Sequence, residues 1–119
     1  MKRTRHNCEN LEIYKRSLAV AVEVMGFIDL VKPFRLAEQI AASAVSVPSN
    51  IAEGSERGTD KEYRRFIEYS SGSSSELATQ LTVLKLADRL PQIDLGKIIK
   101  ETKEINSMMR KFMNRLEKN

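Results

Sequence analysis

The stretch TDKEYRRFIEYSSGSSSELATQLTVL, residues 59–84, decides the fold because its pattern is that of one uninterrupted helix. Thr59 and Glu62 have the spacing of a capping box, in which the hydroxyl covers an early backbone N–H. Apolar and small residues then recur every three or four positions, which is the period of a helix face. That face comprises Tyr63, Phe66, Ile67, Ser70, Ser74, Leu77, Leu81 and Leu84. The pattern predicts a helix of about 30 residues, close to 45 Å long, that ends near Leu90.

The centre of this stretch, residues 70–75, has the serine and glycine composition of a flexible linker. The apolar face nevertheless keeps its phase on both sides of these residues. We therefore place them inside the helix, where small side chains permit a close crossing with a neighbouring helix. Gly72 and Ser73 are expected to lie at that crossing.

Three further helices are predicted around this one. The second helix runs from about Phe34 to Glu53, with Gly54 expected in the left-handed position just after its end. Its stripe is Leu36, Ile40, Ala44, Val47 and Ile51. The fourth helix follows Pro91, with Asp94 as its N-cap. Its stripe is Leu95, Ile98, Thr102, Ile105, Met109, Phe112 and Leu116.

The first helix begins near Leu11 and carries two apolar faces. One face consists of Leu11, Tyr14, Leu18, Ala21, Met25 and Ile28. We assign that face to the core of the single chain. The second face consists of Ile13, Val20, Val24, Phe27 and Val31, and we assign it to an interface between copies of the chain.

Four helices with short connections are most simply arranged up, down, up, down, which predicts an all-α antiparallel four-helix bundle. The chain of 119 residues has the size of one domain, so residues 1–119 are taken as a single bundle domain. Residues 1–9 are expected to be its basic, flexible N-terminus.

The net charge of +4 is unevenly distributed along the chain. The up-down topology brings the start of the first helix, the connection between the second and third, and the end of the fourth to one end. Basic residues from these three regions are candidate contacts for RNA or DNA. The candidates are Arg16, Arg57, Lys61, Arg64, Arg65, Arg110, Lys111 and Arg115. The alternative is that these are ordinary solvated helix faces with ion pairs four residues apart.

Several classes of function lack support in the sequence. The longest aliphatic run, residues 18–22, is far shorter than the roughly 20 residues that cross a bilayer, so no membrane contact is expected. The start of the chain does not resemble a secretory signal, and we expect a cytoplasmic protein. His6 and Cys8 are the only histidine and cysteine, and no glycine-rich phosphate loop is present. We therefore expect no enzyme, no metal and no cofactor.

A longer motif extends across the second and third helices. It starts at Ser46-Val47-Pro48-Ser49-Asn50-Ile51-Ala52-Glu53-Gly54 and continues with residues of the third helix. Those residues are Arg57, Glu62, Arg65, Phe66, Ile67, Gly72, Ser73, Glu76, Leu77, Gln80 and Leu81. In order and spacing this motif resembles the bacterial four-helix bundle family named for 23S rRNA intervening sequences. That family includes the accessory variability determinant proteins of diversity-generating retroelements.

The resemblance implies a four-helix bundle assembled as a homopentamer, without catalytic activity. For the retroelement members it also implies a basic surface that engages RNA or DNA and a reverse transcriptase. The sequence thus favours an oligomeric nucleic-acid-binding protein, acting in a ribonucleoprotein or as a reverse-transcriptase accessory factor. The alternative is a structural or protein-interaction bundle with no nucleic-acid role.

Overall fold

The computed structural model describes residues 11–117, and the predicted basic N-terminus, residues 1–9, lies outside them. Four helices account for most of the described chain: α1 (Glu12–Met25), α2 (Phe34–Ser55), α3 (Asp60–Leu86) and α4 (Leu95–Glu117). A single 3-10 turn, Ile28–Leu30, lies between α1 and α2, and no strand occurs within residues 11–117. The predicted all-α fold is confirmed.

Contacts between helices follow an antiparallel order. Ser46 of α2 bonds Ser73 of α3 at 2.7 Å between their hydroxyl oxygens, and Gly54 near the end of α2 faces Tyr63 near the start of α3. The ring of Tyr63 in turn meets that of Phe112, near the end of α4, with 5.2 Å between centroids. The described bundle is elongated, with extents of 49 × 21 × 20 Å.

The capping residues of α3 and α4 are those that the sequence predicts. Thr59 Oγ1 accepts from the backbone N–H of Glu62 at 3.1 Å, and Asp94 Oδ1 accepts from that of Lys97 at 3.1 Å. The end of α3 is different, because the helix stops at Leu86 rather than near Leu90. Asp88 takes a left-handed conformation with φ 54°, and the N–H of Arg89 bonds the Leu84 carbonyl at 3.2 Å. This hydrogen-bond pattern is the Schellman motif, which ends a helix without needing a proline.

The serine run lies inside α3, as predicted, and its hydroxyls bond both neighbouring helices. Ser70 donates to the carbonyl of Val47 in α2 at 2.7 Å. Ser74 donates to the carbonyl of Thr102 in α4 at 3.2 Å. Both serines are fully buried, so these bonds satisfy polar groups that would otherwise be costly in the core. The run therefore joins three helices.

Two glycines do not have the roles assigned to them from the sequence. Gly54 was expected just beyond α2 in a left-handed conformation, but it lies buried within the helix, with no positive φ. Gly72 was expected at the close crossing, but it is exposed, and a Cβ built there meets no atom within 4 Å. The close approach between α2 and α3 is at Gly54.

The assignment of the two faces of α1 is only partly right: the predicted interface face is core, and on the face assigned to the core Ala21 is buried while Leu11, Tyr14 and Ile28 are half-buried against it. The predicted interface residues are buried inside the chain itself: Ile13, Val20, Val24, Phe27 and Val31. Leu18 and Met25, which were assigned to the core, are exposed. Ser17 explains the error, since this polar residue interrupts the true core stripe in the sequence. In the fold it is 2% exposed and its hydroxyl donates to the Tyr14 carbonyl at 3.0 Å, so burial leaves no polar group unpaired.

Candidate nucleic-acid interface

One end of the bundle is built around aromatic residues of α3 and α4. Tyr63 is buried and packs edge-to-face on Phe112, which fixes the start of α3 against the end of α4. Phe66, one turn further along α3, stacks edge-to-face on Tyr69 at 5.6 Å between centroids. Tyr69 is half exposed, so this end presents aromatic as well as basic side chains to solvent.

Two of the predicted basic residues lie against these rings. The Arg57 guanidinium carbon is 4.5 Å from the centroid of Phe66, and Arg57 Nη2 donates to Glu53 Oε2 at 3.0 Å. The Arg115 guanidinium carbon is 5.5 Å from the centroid of Phe112. Cation–π contacts of this kind orient a guanidinium without neutralising it. Arg115 is exposed, so its charge remains accessible to an anion.

Four other predicted residues are exposed and have no ion pair within residues 11–117: Lys61, Arg65, Arg110 and Lys111. Lys61 and Arg65 are one turn apart on α3. Lys111 and Arg115 are one turn apart on α4, where they line a depression with Leu11 and with Glu12 and Ile13 of α1. Arg110 lies on a different side of α4, in a groove against α3. The term "end cluster" is used below for Arg57, Lys61, Arg65, Lys111 and Arg115.

Arg64 and Arg16 are engaged with carboxylates of this chain. Arg64 pairs with Glu68, four residues along α3. Arg16 forms a fork with Glu101 of α4, with Nε to Oε2 at 2.7 Å and Nη2 to Oε1 at 2.6 Å. Glu104 accepts a further bond from Arg16 at 3.1 Å. The prediction that Arg16 contacts nucleic acid is not supported by this geometry, because its planar fork already holds two carboxylates and ties α1 to α4.

Arg16 and Glu101 shift each other's ionisation. The hydrogen bond to Glu101, followed by that to Glu104, raises the pKa of Arg16. The hydrogen bond from Arg16 lowers the pKa of Glu101, and this outweighs the opposing effect of partial burial. Both carboxylates lie on α4 about one turn apart, where no sequence pattern marked them as partners of α1. Their spacing of three residues places both carboxylates on one face of α4, and this is the sequence feature that could have indicated a partner on another helix.

We expect this pair to make stability depend on pH. Because the folded pKa of Glu101 is below its unfolded value of about 4.3, the pair stabilises the fold above that pH and loses this effect as pH falls through the folded pKa. Arg16→Gln should lower the free energy of unfolding by about 0.5–1 kcal/mol at neutral pH, since Glu101 is 37% exposed and water screens the pair. Urea unfolding at neutral pH and below about pH 4 tests this, with the difference between variant and wild type shrinking in acid. An equal difference at both pH values would contradict it.

Two negative findings apply to residues 11–117. No group of three or more His, Cys, Asp and Glu side chains there has the arrangement needed to hold a metal ion. None of the helices in that part of the chain combines the length and apolarity required to cross a bilayer.

Comparison with known proteins bears on the fold and the family. A solved structure from Bacteroides thetaiotaomicron, a protein of unknown function from the S23 ribosomal protein family, superposes with a TM-score of 0.80. The two share 19% sequence identity, over 85% of this chain and 97% of that one, which establishes a common fold. A comparison with curated proteins finds no match. The family model of the 23S rRNA-intervening sequence protein matches residues 9–111, which is most of the chain. The chain therefore belongs to the 23S rRNA-intervening sequence protein family.

Proposed function

We propose that this protein is a non-enzymatic, oligomeric bundle that binds RNA or DNA through the end cluster. The observation that carries the proposal is the exposure of Lys61, Arg65 and Lys111 without ion pairs among the described residues. Arg57 and Arg115 add two guanidinium groups that aromatic rings hold in place, of which Arg57 also pairs with Glu53. Lysine and arginine side chains of this kind release counterions when they meet phosphates, which drives salt-dependent binding.

Aromatic residues support nucleic acid as the polyanion. Phe66 lies beneath the Arg57 guanidinium and packs edge-to-face on Tyr69, which is half exposed. An exposed ring next to cations gives an unpaired base a surface on which to stack. In the cell the protein would act in the cytoplasm, in a ribonucleoprotein or as an accessory factor of a reverse transcriptase. The family name, with its reference to rRNA intervening sequences, is consistent with a role close to RNA.

Self-association is part of the proposal, and five copies is the number that the family resemblance implies. The surface that supports it is the exposed apolar face of α1, formed by Leu18, Val22 and Met25. These residues recur at spacings of four and three, so they make one stripe on the helix. Light scattering that gives the mass of one 13.6 kDa chain would contradict self-association.

The same apolar face favours a second candidate function. A bundle whose partner is another protein would use Leu18, Val22 and Met25 for docking, and its basic residues would serve only as soluble surface. Nucleic-acid binding distinguishes the two candidates, because the second predicts none.

We expect the triple variant Lys61→Gln, Arg65→Gln, Lys111→Gln to weaken binding of a fluorescein-labelled single-stranded RNA. Loss of three phosphate contacts should reduce the slope of log K against log salt by about 2, at 0.7 for each contact. Fluorescence anisotropy between about 50 and 200 mM salt measures this slope. The control is the pair Lys32→Gln, Arg35→Gln, two exposed cations of the α1–α2 connection and the start of α2. Wild-type protein that leaves the probe unbound at the lowest salt would overturn the proposal.

A further inference from the structure

A polar groove lies between α3 and α4, separate from the end cluster. Its wall on α3 carries hydroxyl groups and its wall on α4 carries cations. The central residues are Ser75, Thr79, Thr82, Lys103, Ser107 and Arg110. Towards the α3–α4 connection the groove continues past Lys85 and Lys100. The two sections have volumes of about 460 and 580 Å³ and both open to solvent.

The charge of the groove is almost entirely positive. Lys85, Lys100, Lys103 and Arg110 are all exposed, and none has an ion pair within residues 11–117. Glu104 is the one acidic residue among those that line the two sections. It already accepts a hydrogen bond from Arg16 of α1, at 3.1 Å. Among residues 11–117, the cations thus face an open groove whose one lining carboxylate, that of Glu104, is hydrogen-bonded to Arg16.

Apart from Lys85 and Leu86 near its end, the α3 wall is small and neutral, which leaves room for an anion. Thr79 and Thr82 donate their hydroxyl protons to carbonyls one turn back in α3, at 3.0 and 2.7 Å. Ser75 accepts from the side-chain amide of Asn106 at 3.3 Å, and this bond holds the two walls together. Ser107 is exposed and has no hydrogen bond within the described chain, so its hydroxyl remains available as a donor.

The spacing of the cations suits a repeating anion. Lys100, Lys103 and Arg110 lie on one face of α4, three and seven residues apart. At 1.5 Å per residue they span about 15 Å of the helix axis. A nucleic-acid strand carries one phosphate for each nucleotide, so more than one phosphate of a single strand passes along that length. No aromatic side chain of residues 11–117 lines either section, so this part of the chain offers a base in the groove nothing on which to stack.

We infer that the α3–α4 groove is a track for the sugar-phosphate backbone of a single nucleic-acid strand, read without regard to base sequence. This inference rests on the proposed nucleic-acid binding and adds a second contact surface, with Lys100, Lys103 and Arg110 as phosphate ligands. The hydroxyl groups of Ser75, Thr79 and Thr82 set how closely the nucleic-acid backbone approaches α3. Bases are held at Phe66 and Tyr69 beside the end cluster, whereas the groove contributes affinity and direction along the bundle.

The test compares three forms of the full chain: wild type, the groove variant Lys100→Gln, Lys103→Gln, and the control variant Lys32→Gln, Arg35→Gln. All four substituted residues are exposed, and circular dichroism verifies that each variant remains helical. The probes are fluorescein-labelled oligouridylate and oligoadenylate of about 20 nucleotides, longer than the groove. Anisotropy titrations between about 50 and 200 mM salt give the slope of log K against log salt for each pair.

The groove variant should reduce the slope by about 1.4, at 0.7 for each lost phosphate contact, and equally for both probes. The control variant should leave the slope near the wild-type value. If the wild type binds and the groove and control variants give equal slopes, the proposal that the groove binds the backbone is overturned. Nucleic-acid binding at the end cluster is then unaffected. Wild type that binds neither probe would overturn both. A loss confined to one probe would refute a contact with the backbone alone.

Discussion

Replacing Gly54 with alanine is expected to lower the free energy of unfolding by about 1–3 kcal/mol, the range for overpacking a well-filled core. A Cβ built on Gly54 lies 2.8 Å from the Cβ of Phe66 and 2.8 Å from Cδ1 of Tyr63. Both neighbours belong to α3, and Tyr63 is itself wedged against Phe112 of α4. The methyl group can therefore be accommodated only if α2 and α3 move apart at the end of the bundle that carries the end cluster.

Gly72→Ala is the matched control, with the same chemical change in a neighbouring helix and the opposite expected sign. A Cβ at Gly72 meets no atom within 4 Å, and the residue is exposed within α3. Alanine is favoured over glycine inside a helix, so the free energy of unfolding of this variant should rise by about 0.5–1 kcal/mol. Urea unfolding followed by circular dichroism measures both variants. Equal effects of the two substitutions would mean that helix propensity, not the approach of α3, governs position 54.

These two glycines show which features of the fold can be predicted from the sequence and which cannot. The existence of α3 and its first residue could be predicted, because Thr59 and a face of constant period depend only on residues close together in the chain. The role of Gly54 could not, because it depends on how near α3 comes to α2. A glycine just before a polar loop has the same local pattern whether it ends a helix or admits a neighbour.

The faces of α1 show the same limit. Both stripes of this helix are apolar, so periodicity alone does not determine which one turns inward. Ser17 makes the buried stripe hard to recognise, because it is a polar residue on that stripe. It fits in the core because Ser17, Ala44, Ser74 and Thr102 surround one small space at the centre of the bundle. Each helix contributes one small residue to this level. That match between four distant positions is visible only in three dimensions.

For the candidate site, the topology was enough to bring the basic residues of α3 and α4 to one end, but not to find their partners. Arg16 lies one helix turn from the start of α1, yet its side chain reaches Glu101 and Glu104 because of the rotation of α4 about its axis. The same rotation turns Arg110 into the groove with Lys103. Helix rotation is set by core packing across the whole bundle, which the sequence of one helix does not specify.

Val24→Asp is expected to unfold the protein, and Val22→Asp is expected to leave it folded. Val24 is fully buried in the core, so an aspartate there would place a carboxylate where no water reaches it. A cost above about 4 kcal/mol is expected, a large part of the stability of a typical domain. Val22 is 69% exposed on the same helix, and the identical substitution there should change the stability of the single folded chain by no more than about 0.5 kcal/mol.

Circular dichroism and light scattering on the two variants test whether Val24 lies in the core, as in the structure, or at an interface between copies, as assigned from the sequence. If Val24 faced a neighbouring copy, Val24→Asp would yield a folded single chain with normal helix content. If Val24 is core, as its burial indicates, that variant loses its cooperative thermal transition, whereas Val22→Asp keeps it. Val22→Asp then also reports on self-association, since a charge in the centre of the Leu18, Val22 and Met25 stripe would reduce the assembly to a mass of 13.6 kDa. An unchanged assembly mass would mean that the interface lies on another face of the bundle, because the second apolar stripe of α1 is buried in the core.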